Sequence, residues 1–184
     1  MLLVIGERVH SPSSSQAGIS RTREAWRQHG LRAILRYPGM AWGPTRARLV
    51  KLLDRQPDKV INLLPPDNKS GTWNHFDAER NASLLDHWLN SGNMWPYITN
   101  EDGKEGQITH VVLCGARVAA AWPERSIPCR EPGTIWEHRQ IRYLVLPHPS
   151  GRNRTLQDKK LLDLLEVSIK EFFSTGLSTV RREV

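Results

Sequence analysis

Four polar segments stand out in this 184-residue chain because each follows a short apolar run: GERVH at 6–10, PPDN at 65–68, GAR at 115–117 and HPSGRNR at 148–154. The last of them puts an imidazole, His148, next to a Pro-Ser turn and two guanidiniums, Arg152 and Arg154. An imidazole can donate to developing oxyanion charge, or can be satisfied by backbone at a strand end. Arginine forks bind phosphate bidentately. The first segment sets a carboxylate, Glu7, beside Arg8. Arg8 stays protonated at neutral pH and is no general base. Asn62 lies inside the apolar run VINLL at 60–64, an unfavourable place for an amide unless it is paired. Asp67, His75, Asp77 and Glu79 form a loose polar cluster. Their spacing fits no recognised metal site, and a solvated loop leading to a capped helix accounts for them. The two cysteines, Cys114 and Cys129, exclude a disulfide scaffold and any four-cysteine zinc or iron–sulfur site within one chain. Cys114, in an apolar run, reads as buried and inert.

The elements that must position these groups follow from periodicity. LLVI at 2–5, KVINLL at 59–64, HVVLCG at 110–115 and IRYLVLP at 141–147 read as strands, since short continuous apolar runs mark strands buried on both faces. Helices are expected over 20–36 with Ser20 as N-cap, 44–54 with Pro44 in its first turn, 76–90, 116–122 and 155–174. Tyr37-Pro38-Gly39 ends the first of them. Strands alternating with helices point to a parallel sheet covered on both faces. In such sheets ligands bind at the strand C-terminal edge, where the four polar segments fall.

Composition bounds the partners. Lys+Arg number 26 against 19 Asp+Glu, giving +7, and such a balance favours an anionic partner, nucleic acid first. Arg21, Arg23, Arg27, Arg32, Arg36, Arg46, Arg48 and Lys51 crowd the first third. Seven tryptophans are available for the core or for stacking on bases. No apolar run approaches the ~20 residues of a membrane span, and the N-terminus lacks the basic lead-in of a signal peptide. A reducing cytoplasm, such as a bacterial nucleoid or a phage-infected cell, is the expected setting.

In order along residues 2 to 155, these segments resemble the uracil-DNA glycosylase superfamily. LVLPHPSGRNR (144–154) resembles the end of that superfamily's last core strand, which carries His-Pro-Ser, or Asn-Pro-Ser in the mismatch-specific branch. The continuation Gly-Arg-Asn is most similar to the single-strand-selective branch. LVIGERVH (3–10) stands at the first motif, VINLL (60–64) at the strand with a base-reading Asn, and VVLCGARVAAAW (111–122) at the third strand and its helix. The resemblance implies an enzyme that flips a base into a pocket, reads its edge and stabilises negative charge on O2 of the leaving base. It implies His148 as the anion-stabilising donor and Glu7 as the group that orients water or binds base through its backbone. It implies Asn62 as the reader of the uracil O4/N3–H edge, with Asn68 the fallback if the register shifts. Gly6 and His10 would line the base pocket. Trp42, in PGMAWGPTRARL (38–49), would stack on the base, with Tyr37 second. Ser150, Gly151, Arg152, Asn153 and Arg154 would contact DNA, Ser150 gripping a phosphate and Arg152 filling the gap left by the flipped base.

Two departures bear on mechanism. Arg8 stands where many branches place the water-positioning Asp or Asn, so Arg8 belongs with Glu7 and His148 among the residues deciding the chemistry. His10 stands where a Tyr excludes C5-substituted pyrimidines, which opens the specificity to C5-modified bases. The iron–sulfur branch is excluded by cysteine count. The expected fold is thus α/β, a three-layer α/β/α sandwich with a four-stranded, mainly parallel sheet. Residues 1–175 would form one domain and 176–184 a short basic tail. The expected activity is monofunctional hydrolysis of the N-glycosidic bond of uracil or a C5-modified pyrimidine in single- or double-stranded DNA, leaving an abasic site. It would be carried out by a monomer without cofactor or metal. No lysine lies in the matched motifs to form a Schiff base. The alternative is a base-flipping protein that modifies or merely binds a base, with Arg8 and His10 in its pocket. A generic nucleotide-binding domain ranks last, because no Gly-rich phosphate loop is present.

Overall fold

The computed structural model describes residues 1–8, 16–36, 43–66, 73–91, 96–150 and 153–174. Strand β1 (Leu2–Gly6) is buried along its whole length. It pairs in parallel with β2 (Lys59–Asn62) on one edge and with β5 (His110–Cys114) on the other. β5 pairs in parallel with β7 (Ile141–Leu146), which takes β6 (Ile135–His138) antiparallel on its outer edge. The sheet order is β2-β1-β5-β7-β6. A separate two-stranded ribbon joins β3 (Tyr97–Thr99) to β4 (Glu105–Gln107).

The four apolar runs form the four parallel strands. The sheet has five strands rather than the expected four, β6 being the addition. Its connection to β7 is a two-residue turn, Arg139-Gln140, with both residues at positive φ (48° and 67°). That is the type I′ hairpin geometry, usually signalled by Asn-Gly or Asp-Gly. Arg-Gln carries no such signal.

The expected helix over 20–36 is two helices, α1 (Gln16–His29) and α2 (Leu31–Arg36). Ser20 falls inside α1 rather than capping it. Gly30, at φ 49°, donates its N–H to the Trp26 carbonyl at 2.9 Å. Its own carbonyl accepts from Ala33 and Ile34 at 3.1 Å. A left-handed residue thus closes one helix and opens the next. The remaining helices lie close to expectation: α3 (Gly43–Leu53), α4 (His75–Asn90), α5 (Ala116–Ala121) and α6 (Lys159–Phe173), the last preceded by a 3₁₀ turn, Arg154–Gln157.

Strand alternation sorts the core into two clusters. Leu3, Ile5, Ile61, Val111, Leu113 and Val145 pack with side chains from α1, α2, α4 and α5. Leu2, Val4, Val60, Val112, Cys114, Leu144 and Leu146 pack with Leu49 and Leu53 of α3 and Leu165, Ile169 and Phe172 of α6. The chain is therefore an α/β protein with a mostly parallel five-stranded sheet between helices. Among the described residues no helix is long and apolar enough to cross a membrane.

Leu165 and Leu164 are neighbours on α6 with opposite environments, 0% and 51% exposed. Leu165→Ala should destabilise the fold by about 2–5 kcal/mol. Leu164→Ala should change it by no more than about 0.5 kcal/mol. Urea denaturation of both variants checks the assignment of the buried face.

Candidate active site

Because β1, β2, β5 and β7 run in parallel, their C-terminal ends share one edge of the sheet. The chain passes from β1 to β2 on one side and then to β5 and β7 on the other. That reversal falls at the ends of β1 and β5, the place where open α/β sheets hold ligands. Glu7 follows β1, Gly115 follows β5, His148 follows β7, and Asn62 ends β2 directly beside Gly6.

Glu7 and His148 converge over Gly115. A Cβ built on Gly115 would lie 2.9 Å from Glu7 Oε1 and 3.5 Å from His148 Cβ. Gly115 also sits at φ 117°, a conformation that residues with a Cβ rarely adopt. The carboxylate of Glu7, 22% exposed, lies 3.9 Å from the half-exposed Arg117 guanidinium. Arg117 in turn stands 5.7 Å above the ring of Trp73. Gly115, Arg117 and Trp73 were not singled out in the sequence, although GAR at 115–117 was marked as a strand-end segment.

His148 Nδ1 accepts the backbone N–H of Ser150 at 3.2 Å. In a neutral ring the proton must then sit on Nε2, which becomes a donor. Burial pushes the His148 pKa below its ordinary value, outweighing the attraction of the Glu7 charge. The neutral form of the ring is thereby favoured.

Asn62 is 4% exposed. Its Oδ1 is buried and accepts no hydrogen bond among the described residues, a state that costs free energy unless a ligand supplies a donor. It lies on the same face as Val60, two residues earlier in the strand. Cys114 is wholly buried, and burial raises its thiol pKa, with the Glu7 charge adding to the effect. It is inert.

The other predicted residues divide. Asn153 spends its amide on the loop itself: Nδ2 donates to the His148 carbonyl at 2.9 Å, and Oδ1 accepts the Thr155 N–H at 3.1 Å. Arg154 is exposed at the start of the 3₁₀ turn. Ser150 lies at the junction between His148 and a larger groove bordered by α3 and α6. Arg8 lines a separate small cleft with Trp73 and residues of α1 and α4. Asp77 belongs to the cap of α4, where its N–H donates to Asn74 Oδ1 at 3.1 Å. His10, Tyr37, Trp42, Asp67, Asn68, Gly151, Arg152 and the basic tail lie outside the described residues.

No family model matches the chain, and a search of curated proteins finds no significant match.

Two substitutions separate fold from site. Gly115→Ala should destabilise the protein by about 1–3 kcal/mol through backbone strain and the clash with Glu7. Asn62→Leu removes a buried, unpaired acceptor and should stabilise it by about 1 kcal/mol. Urea midpoints at neutral pH check both.

Proposed function

We propose that this chain is a monofunctional DNA glycosylase that hydrolyses the N-glycosidic bond of uracil or a C5-modified pyrimidine after flipping the base out of the stack. The observation that carries this reading is the Ser150 N–H on His148 Nδ1, which leaves Nε2 of a neutral ring as the donor, beside the Glu7 carboxylate over Gly115.

Departure of a pyrimidine breaks the C1′–N1 bond, and the electron pair leaves with the base as an anion delocalised onto O2. A preorganised donor aimed at that oxygen lowers the barrier, most strongly where water is excluded. His148 Nε2–H is that donor. The sugar is left as an oxocarbenium ion, which the nearby Glu7 carboxylate stabilises. Water attacks C1′, its proton passing to Glu7, and the base anion takes up a proton from solvent as it departs, Glu7 returning its own to solvent. Asn62 Oδ1 accepts the N3–H of the flipped base, which fills its missing partner. Arg8, in its separate cleft, takes no part in these steps. The basic strand-end loop, including Arg154, meets the DNA backbone.

Base release from labelled single- and double-stranded oligonucleotides carrying uracil, thymine mismatches or 5-hydroxymethyluracil tests the proposal. Alkali-labile abasic sites should form with the wild type and fall by about 10²–10³-fold in His148→Ala. Oligonucleotide binding with no release from any base overturns hydrolysis and leaves a base-modifying or base-binding role.

The pH dependence follows from the burial of His148. Its folded pKa lies below the ordinary 6.5, so the neutral, active ring persists at pH 6.5. Release should decline only as the pH falls further. The unfolded chain takes up that proton more readily, so stability declines in the same direction, beginning near the ordinary value. Release rates and urea midpoints from pH 5 to 8 check both limbs.

A further inference from the structure

Three rings gather where α4 begins. Trp73 and His75 meet edge to face, their centroids 6.3 Å apart. Phe76, next in the chain, is 75% exposed, more than any other large hydrophobic side chain among the described residues. The helix cap needs no aromatic there. Asn74 Nδ2 donates to the Asp77 carboxylate at 3.0 Å, and Asn74 Oδ1 accepts the Asp77 N–H at 3.1 Å. A lone exposed phenyl ring is ordinary on a protein surface. A ring that continues a pair of others, with a guanidinium over one of them, is a surface with a chemistry of its own.

That surface is continuous with the candidate active site. Arg117 stands 5.7 Å above the Trp73 ring and 3.9 Å from the Glu7 carboxylate. The start of α4 is held at the same edge of the sheet. Asn81, in its second turn, donates Nδ2 to the Leu63 carbonyl at 2.7 Å, and Leu63 and Leu64 donate their N–H groups to the Gly6 and Glu7 carbonyls at 2.9 and 3.0 Å. Aromatic faces and guanidinium planes stack on nucleobases whatever the sequence, because every base has a π-face. Bases within a duplex already stack on one another, so such rings gain most from an unpaired base. We propose that Phe76, with Trp73 and His75, forms a stacking surface for unpaired bases of a DNA single strand whose neighbouring nucleotide enters the candidate site. The inference rests on the nucleic-acid part of the function proposed above, not on hydrolysis.

The test compares two single strands of equal length by fluorescence anisotropy, an unmodified oligodeoxynucleotide and one built of abasic spacers. Phe76→Ala should weaken binding of the base-bearing strand about 5- to 100-fold. It should leave the spacer strand unchanged, because the phosphates are the same in both. The slope of log Kd against log salt should also be unchanged, no phosphate contact being lost. Phe76→Trp, which keeps a π-face, should bind as the wild type does. Tyr97 is the control, an aromatic 60% exposed at the opposite edge. It pairs with Gln107, whose carbonyl accepts from the Met1 amino group at 2.6 Å, and Tyr97→Ala should bind both strands normally. Phe76 is exposed, so the urea midpoint of Phe76→Ala should match the wild type. An unchanged affinity in Phe76→Ala, an equal loss on the spacer strand, or an equal loss in Tyr97→Ala overturns the proposal. A wild type that binds neither strand overturns it together with the nucleic-acid reading. A wild type that binds but releases no base overturns hydrolysis alone.

Discussion

Strand β1 is buried on both faces and paired in parallel on both edges, and that pairing fixes where every polar group at the crevice stands. Val4 and Ile5 belong to different cores, so a slip of one residue against β2 would expose each of them to the wrong layer. The hydrophobic demand of the two layers therefore locks the register that sets Gly6 beside Asn62. Burial of each such aliphatic side chain stabilises by roughly 1.5–3 kcal/mol. This is enough to hold an unsatisfied Asn62 acceptor at the strand end, at about 1–3 kcal/mol. The sheet tolerates a costly amide because its apolar pairing outweighs it.

The parallel strands were legible because a strand covered on both faces must be apolar throughout, and LLVI, KVIN, HVVLC and IRYLVL are close to that. The outer strand β6 was not, because it is an edge strand with partly exposed residues and its turn uses Arg139 and Gln140 at positive φ. The split at Gly30 shows the same limit: a glycine within an amphipathic stretch is compatible with either a continuous helix or a left-handed break. For the candidate site, Glu7, Asn62 and His148 were legible as polar groups at strand ends. Gly115 was not, since its role depends on the 2.9 Å approach of a carboxylate from a different strand. Arg117 and Trp73 were hidden for the same reason, their meeting being a product of tertiary packing.

The loop after β7 shows how one amide can be diverted from a partner to the scaffold. Asn153 bridges the His148 carbonyl and the 3₁₀ turn that leads into α6. The next cap, Asp158, accepts from Lys160 at 2.9 Å. His148 is thus tied through its loop to the helix that covers one face of the sheet. Its Nδ1 is engaged by the same loop, so the orientation of the ring is set by backbone rather than by another side chain. A proton on Nδ1 would face the Ser150 N–H donor to donor. Burial and loop geometry therefore favour the same neutral tautomer.

The charge of the chain is strongly positive, yet the point where Glu7 meets His148 is not. The Arg117 guanidinium beside the carboxylate is half exposed at 3.9 Å, and an exposed pair at that separation is screened by water. Displacing that water would strengthen both the Glu7–Arg117 attraction and the field of Glu7 on anything beside it. Arg117 also borders the ring of Trp73. Under the function proposed above, the Glu7 carboxylate is retained, in a basic chain, where a sugar would become positive.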